Sequence, residues 1–127
     1  MERSFFVYGS LLFEDVWEDL IGRIPIVYPA VLYGYRRYSV EDTFYPGIWF
    51  WDDASVVGGH VFLNEEEEWC IDDYEGDEYI KTIVSISIAE KVVSARTYIR
   101  PPTHQGEWIQ NWSEEIFHHY RNDFFSF

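Results

Sequence analysis

Six runs rich in β-branched and aromatic residues punctuate this chain: Ser4–Tyr8, Val27–Val40, Gly47–Trp51, Ser55–Leu63, Tyr79–Ile88 and Val92–Arg100. Such side chains suit a pleated, packed surface, so each run predicts a strand. In the fifth, Ile80, Val84, Ile86 and Ile88 share a face with Thr82. Lys81, Ser85 and Ser87 share the other with Ile83, as in a strand with one face on a core. Strands and helical stretches do not alternate as a doubly wound parallel sheet requires. The pattern therefore predicts an α+β fold, a small mixed or mainly antiparallel barrel with flanking helices. Periodicity alone does not separate such a barrel from a sandwich.

Three helices are expected. In Glu14–Ile21, Val16, Trp17, Leu20 and Ile21 recur at helical spacing and Gly22 is the stop. In Glu65–Tyr74, Asn64 followed by Glu67 reads as a variant capping box, and Glu65 and Glu66 complement the helix N-terminus. Trp69 and Asp73 would share one side, bringing the acids that follow back toward a sheet edge. In Glu107–Asn122, Trp108, Trp112, Ile116 and Tyr120 form a stripe suited to packing.

The 127 residues suit one domain, 1–127, and the 47% hydrophobic content argues against disorder. A formal charge of -14 disfavours nucleic acid, whose phosphates need clustered Lys and Arg. No apolar run approaches the roughly 20 residues of a membrane-spanning helix, so no membrane partner is expected. The chain enters strand-like sequence at once, leaving no room for a cleavable signal. A single cysteine, Cys70, cannot form an internal disulfide, fits a reducing compartment, and beside Trp69 reads as a buried thiol. A cytoplasmic setting is the expectation.

Two segments carry chemistry. In Phe5-Phe6-Val7-Tyr8-Gly9-Ser10-Leu11 an apolar strand breaks at a glycine and a small hydroxyl residue, then a helical pattern begins. Exposed N–H groups in such a turn make an anion-binding nest. The second segment is Ile71-Asp72-Asp73-Tyr74-Glu75-Gly76-Asp77-Glu78-Tyr79. Read alone, its acids describe a solvated helix end and turn.

Taken together, Tyr8-Gly9-Ser10-Leu11 and Asp72-Asp73-Tyr74-Glu75 resemble the γ-glutamylcyclotransferase-like family. The nearest branch is that of the avirulence-induced-gene-like proteins and γ-glutamylamine cyclotransferases. Tyr28–Tyr38, Tyr45-Pro46-Gly47-Ile48 and Val57–Phe62 resemble it in the same order. The resemblance implies a closed, mainly β barrel and a metal-independent enzyme of transferase or lyase type, without cofactor. Its substrate would be a small γ-glutamyl amine or amino acid, cyclised to 5-oxoproline with release of the free amine. By the same resemblance Glu75 is the catalytic proton carrier, its pKa raised by burial or by Asp72, Asp73, Asp77 and Glu78. The backbone donors of Tyr8, Gly9, Ser10 and Leu11 would hold the γ-glutamyl portion, including its α-carboxylate. Tyr79, with Tyr98, is a candidate pocket residue, though aromatics on strands also read as core.

Other residues are weaker candidates. Ser10 lacks the flanking glycines of a nucleophile elbow. Tyr45-Pro46-Gly47 reads as a turn that also suits a pocket wall. Arg36 and Arg37 suit surface ion pairs or a substrate carboxylate. The adjacent His118 and His119 point apart on a helix, His60 and His104 have no evident partners, and the acids of 72–78 lack the ligand order of a calcium loop. The chain departs from familiar cyclotransferases at Leu12-Phe13-Glu14-Asp15, where a basic, glycine-containing continuation is usual, and at Ile80-Lys81, where an arginine is common. Alternation cannot bury all of Trp49-Phe50-Trp51 on one face. A protein partner or self-association through exposed tryptophans, in a catalytically inactive binding module, is therefore the rival expectation.

Overall fold

The computed structural model describes residues 2–41, 43 and 45–103. The expected helix Glu107–Asn122 lies outside the described residues, as do His104, His118 and His119. The strands are β1 (Arg3–Val7), β2 (Tyr28–Ser39), β3 (Pro46–Leu63), β4 (Ile80–Ile88) and β5 (Lys91–Ile99). The helices are α1 (Glu14–Ile21) and α2 (Glu65–Glu75), and a 3₁₀ turn spans Ser10–Leu12.

The strands close into a barrel in the order β1-β3-β2-β4-β5. Neighbours are antiparallel except β5 and β1, whose parallel pairing completes the ring. Successive β1 side chains alternate between two cores. Phe6 and Tyr8 pack with the barrel interior around Leu32, Ile48 and Ile86. Phe5 and Val7 pack outside with Trp17 of α1 and Ile71 of α2. This burial of both faces makes β1 an unbroken apolar run rather than an alternation.

The runs Gly47–Trp51 and Ser55–Leu63 are one strand, β3, not two. Its register against β2 shifts between Tyr33↔Ser55 and Tyr35↔Phe50, which sets Trp51–Ala54 opposite Gly34 alone. Asp53 (φ 63°) and Gly34 (φ 84°) take left-handed backbone there. The polar interruption that divides the runs in sequence is therefore an irregularity within one strand, and it re-aims the chain without ending it. Phe50 and Trp51 are exposed, whereas Trp49 packs against the barrel core.

Helix α2 begins as the sequence predicts. The Glu67 N–H donates to Asn64 Oδ1 at 2.8 Å and the Asn64 N–H to Glu67 Oε1 at 3.0 Å. Glu67, Glu68 and Ile71 form its inward face. Cys70 lies off that face and is exposed, which corrects the expectation of a buried thiol. Trp69 and Asp73 share a side, but it faces solvent. Buried Glu68 accepts from Arg3 at 2.6 Å and from Lys81 at 2.7 Å, fastening α2 to β1 and β4. Lys81 also reaches Asp72 at 3.0 Å.

Candidate functional site

A cavity of about 350 Å³ opens where the 3₁₀ turn, the β2–β3 turn and the C-terminal end of α2 converge. Tyr8, Gly9, Ser10, Leu11, Glu75 and Tyr79, which the sequence nominates from two distant segments, all line it. So do Tyr45, Pro46, Tyr74, Glu78 and Tyr98.

Glu75 is the last residue of α2, one beyond the predicted end, and Gly76 (φ 78°) stops the helix. The residue keeps some accessible surface, but enough protein surrounds its carboxyl for burial to push the pKa up to about 8. Desolvation penalises the charged form. Burial is the cause here, rather than the negative field of Asp72, Asp73, Asp77 and Glu78 that the sequence suggested. A carboxyl that titrates near neutrality can both take up and return a proton.

Opposite in sequence, β1 ends at Val7 and the chain turns at Gly9. Leu12 N–H donates to the Gly9 carbonyl at 2.9 Å and Phe13 N–H to that of Ser10 at 3.1 Å. These bonds wind the turn tightly, and the Trp17 indole N–H clamps it through the Leu11 carbonyl at 2.5 Å. Among the described residues, no backbone carbonyl accepts from the N–H of Gly9, Ser10 or Leu11. Those groups suit an anionic ligand.

The tyrosines build the walls. The Tyr8 hydroxyl donates to the Tyr98 carbonyl, and the Tyr79 hydroxyl to the Pro46 carbonyl at 2.7 Å. Burial pushes both phenols above their ordinary range. With its proton engaged by a carbonyl, each ring acts as a fixed wall rather than as an acid. Tyr98 in turn donates to Asp72 at 2.5 Å, tying β5 to α2 one turn before Glu75. Ser10 Oγ and the Tyr74 hydroxyl lie 2.6 Å apart, and Tyr74 is also hydrogen-bonded to Tyr45.

Glu75 and Glu78 are acidic side chains in the lining, and among the described residues no Lys or Arg belongs to it. Arg100 lies behind the rim, 3.7 Å from Glu78. Among the described residues, no group of three His, Cys, Asp or Glu is placed to hold a metal ion. None of the described helices is long and apolar enough to cross a membrane. Sequence reasoning missed Val40 and Thr43 of the β2–β3 turn as lining residues. Their only sequence signal is a place beside Tyr45-Pro46-Gly47.

Comparison with known proteins places the fold. Residues 5–115 match the family described as gamma-glutamyl cyclotransferase, AIG2-like. AIG2-like protein D of Arabidopsis thaliana is 29% identical over 121 residues, spanning 88% of this chain and 80% of that one. Protein AIG2 C of the same plant is 33% identical over 120 residues, 87% of this chain and 72% of its own. A solved Arabidopsis thaliana structure superposes with a TM-score of 0.77 at 26% identity, covering 99% of this chain and 78% of that one. A structure titled gamma-glutamyl cyclotransferase shares the fold, with a TM-score of 0.72 at 17% identity over 80% of this chain and 68% of that one. The chain belongs to the gamma-glutamyl cyclotransferase, AIG2-like family.

Proposed function

We propose that the cavity cyclises a γ-glutamyl amine or amino acid to 5-oxoproline and a free amine. The amides of Gly9, Ser10 and Leu11 hold the substrate's α-carboxylate, and the walls of Tyr8 and Tyr79 keep its chain folded. Deprotonated Glu75 takes a proton from the α-ammonium. The freed amine attacks the γ-carbonyl carbon, forming the lactam C–N bond and an oxyanion. That oxyanion collapses and the bond to the leaving nitrogen breaks as Glu75 returns its proton there; Glu75 then takes the second proton shed by the ring nitrogen and passes it to the amine, which leaves as an ammonium. Reactants and products balance without an external nucleophile, metal or cofactor. The exposed thiol of Cys70 suits a reducing cytosol.

The observation that carries this reading is one cavity bounded by a carboxyl whose pKa burial pushes up to about 8 and by backbone donors that no backbone carbonyl among the described residues takes up. Incubation with γ-glutamyl amides and detection of 5-oxoproline tests it. Absence of product across γ-glutamyl amines and amino acids would sink it.

A second reading, a non-catalytic binding module, draws on the 54% and 44% exposure of Phe50 and Trp51. Ligand binding without product, or a size that grows with concentration in light scattering, would favour it.

A further inference from the structure

β1 leaves the sheet just after Val7, which pairs with Gly59, so the ladder between β1 and β3 ends one residue before the Tyr8 carbonyl. Arg37 of β2 supplies that carbonyl with a donor. Its Nη1 lies 2.6 Å from the Tyr8 oxygen and 3.4 Å from that of Val57. The sequence suggested a surface ion pair or a substrate contact for this arginine. The two bonds to Tyr8 and Val57 go to backbone carbonyls.

The consequence follows from peptide geometry. The Tyr8–Gly9 bond is trans and planar, so its C=O and N–H point to opposite sides. Tyr8 and Gly9 line the cavity and Arg37 does not. A carbonyl drawn toward Arg37 therefore turns the Gly9 N–H the other way, toward the cavity. The guanidinium's field also reaches the Tyr8 hydroxyl in the cavity wall, where it acts against the upward push of burial.

We infer that Arg37 is the positioning residue of the carboxylate-binding turn: by holding the Tyr8 carbonyl it keeps the amides of Gly9–Leu11 aimed into the cavity. It also lends positive charge to a lining that, among the described residues, has acidic side chains and no Lys or Arg. A charge-assisted bond to a single carbonyl fixes the peptide more firmly than water would. The inference rests on the γ-glutamyl reading for the identity of the carboxylate, not for the orientation of the turn.

Calorimetric titration of 5-oxoproline and of pyrrolidin-2-one, the same ring without its carboxylate, tests this in wild type and Arg37→Gln. The variant is expected to bind 5-oxoproline about 10- to 100-fold more weakly, the worth of one charge-assisted hydrogen bond, and pyrrolidin-2-one unchanged. Equal affinity for 5-oxoproline in both proteins overturns the role while leaving the cyclotransferase reading intact. Equal loss of both ligands overturns it too, because a merely structural arginine would disturb the whole pocket. Where Arg37→Gln does not fold, Arg37→Lys replaces it. It keeps the charge without the planar fork, so a several-fold weakening, roughly, is expected and none overturns the role. If wild type binds no 5-oxoproline, the γ-glutamyl reading falls, and acetate followed by NMR of the Gly9–Leu11 amides decides the rest. Shifts that depend on Arg37 uphold its role. No shifts, or shifts unchanged in the variant, end it.

Discussion

Gly9 and Pro46 meet so closely that a Cβ on residue 9 would stand 2.5 Å from the proline Cγ and 2.8 Å from its Cδ. The carbonyl of the same proline accepts from the Tyr79 hydroxyl at 2.7 Å. Pro46 thus joins the turn after β1, the start of β3 and the segment after α2, three sides of the cavity.

Gly9→Ala forces that contact apart. We expect a loss of about 1–3 kcal/mol in stability, the usual range for overpacking. The turn must also shift relative to Glu75, so turnover should fall by more than the fraction unfolded explains. Chemical denaturation and steady-state kinetics on one preparation measure both. An alanine variant as stable and active as wild type would refute the close approach.

Glu75→Gln keeps the shape of the side chain and removes its proton chemistry. Cyclisation should fall by at least about 100-fold, the low end of general acid–base effects. In wild type, kcat/KM should rise with pH through a half-maximum near 8, because only the deprotonated carboxyl accepts the α-ammonium proton. A flat profile between pH 6 and 9, or an active glutamine variant, would remove Glu75 from the mechanism.

The same residue sets a pH dependence of stability. Its folded pKa of about 8 lies above the ordinary carboxyl value of 4.5. Between those values the folded protein keeps a proton that the unfolded chain releases, so stability is full below pH 4.5 and declines as pH rises to 8. The loss is on the order of a few kcal/mol. Glu75→Gln should therefore melt higher than wild type at pH 8.5 and close to it at pH 4.5. Parallel melts at both pH values would contradict the assigned burial.

Among the described residues the lining offers acidic side chains and no Lys or Arg, and the chain carries a formal charge of -14. Substrates whose leaving amine is neutral or cationic should be preferred over γ-glutamyl amino acids, which add a second carboxylate. Through partly screened charges the advantage in kcat/KM is about five-fold at low salt, shrinking as salt is added. Glu78→Gln, at the rim, should narrow the gap. A preference for the amino acid series would show that another cation reads the leaving group.

Much of this was legible because it is local. The capping box of Asn64 and Glu67, the stop at Gly22 and the apolar run of β1 depend on residues a few positions apart, whose geometry follows from helix and strand periods. That Trp49-Phe50-Trp51 is not buried whole was legible for the same reason, whereas the exposure of both Phe50 and Trp51 was not. Cys70 misled because its apolar neighbour Trp69 suggested a core, whereas the inward face of α2 runs through Glu67, Glu68 and Ile71.

The amino-acid order by itself determined α1, α2, β1, β4 and β5 to within a few residues, the glycine turn and the acidic helix end, and it carried the resemblance to a known family. Only tertiary structure decided that β5 closes on β1, that Asp52 and Asp53 interrupt one strand rather than separate two, and that Arg37 answers the Tyr8 carbonyl. It also decided why Glu75 holds its proton. Desolvation belongs to the packing around a carboxyl, and here Tyr8, Tyr45 and Tyr98, from separate stretches of chain, line the same cavity as that carboxyl. No spacing in the sequence measures how much water such neighbours exclude.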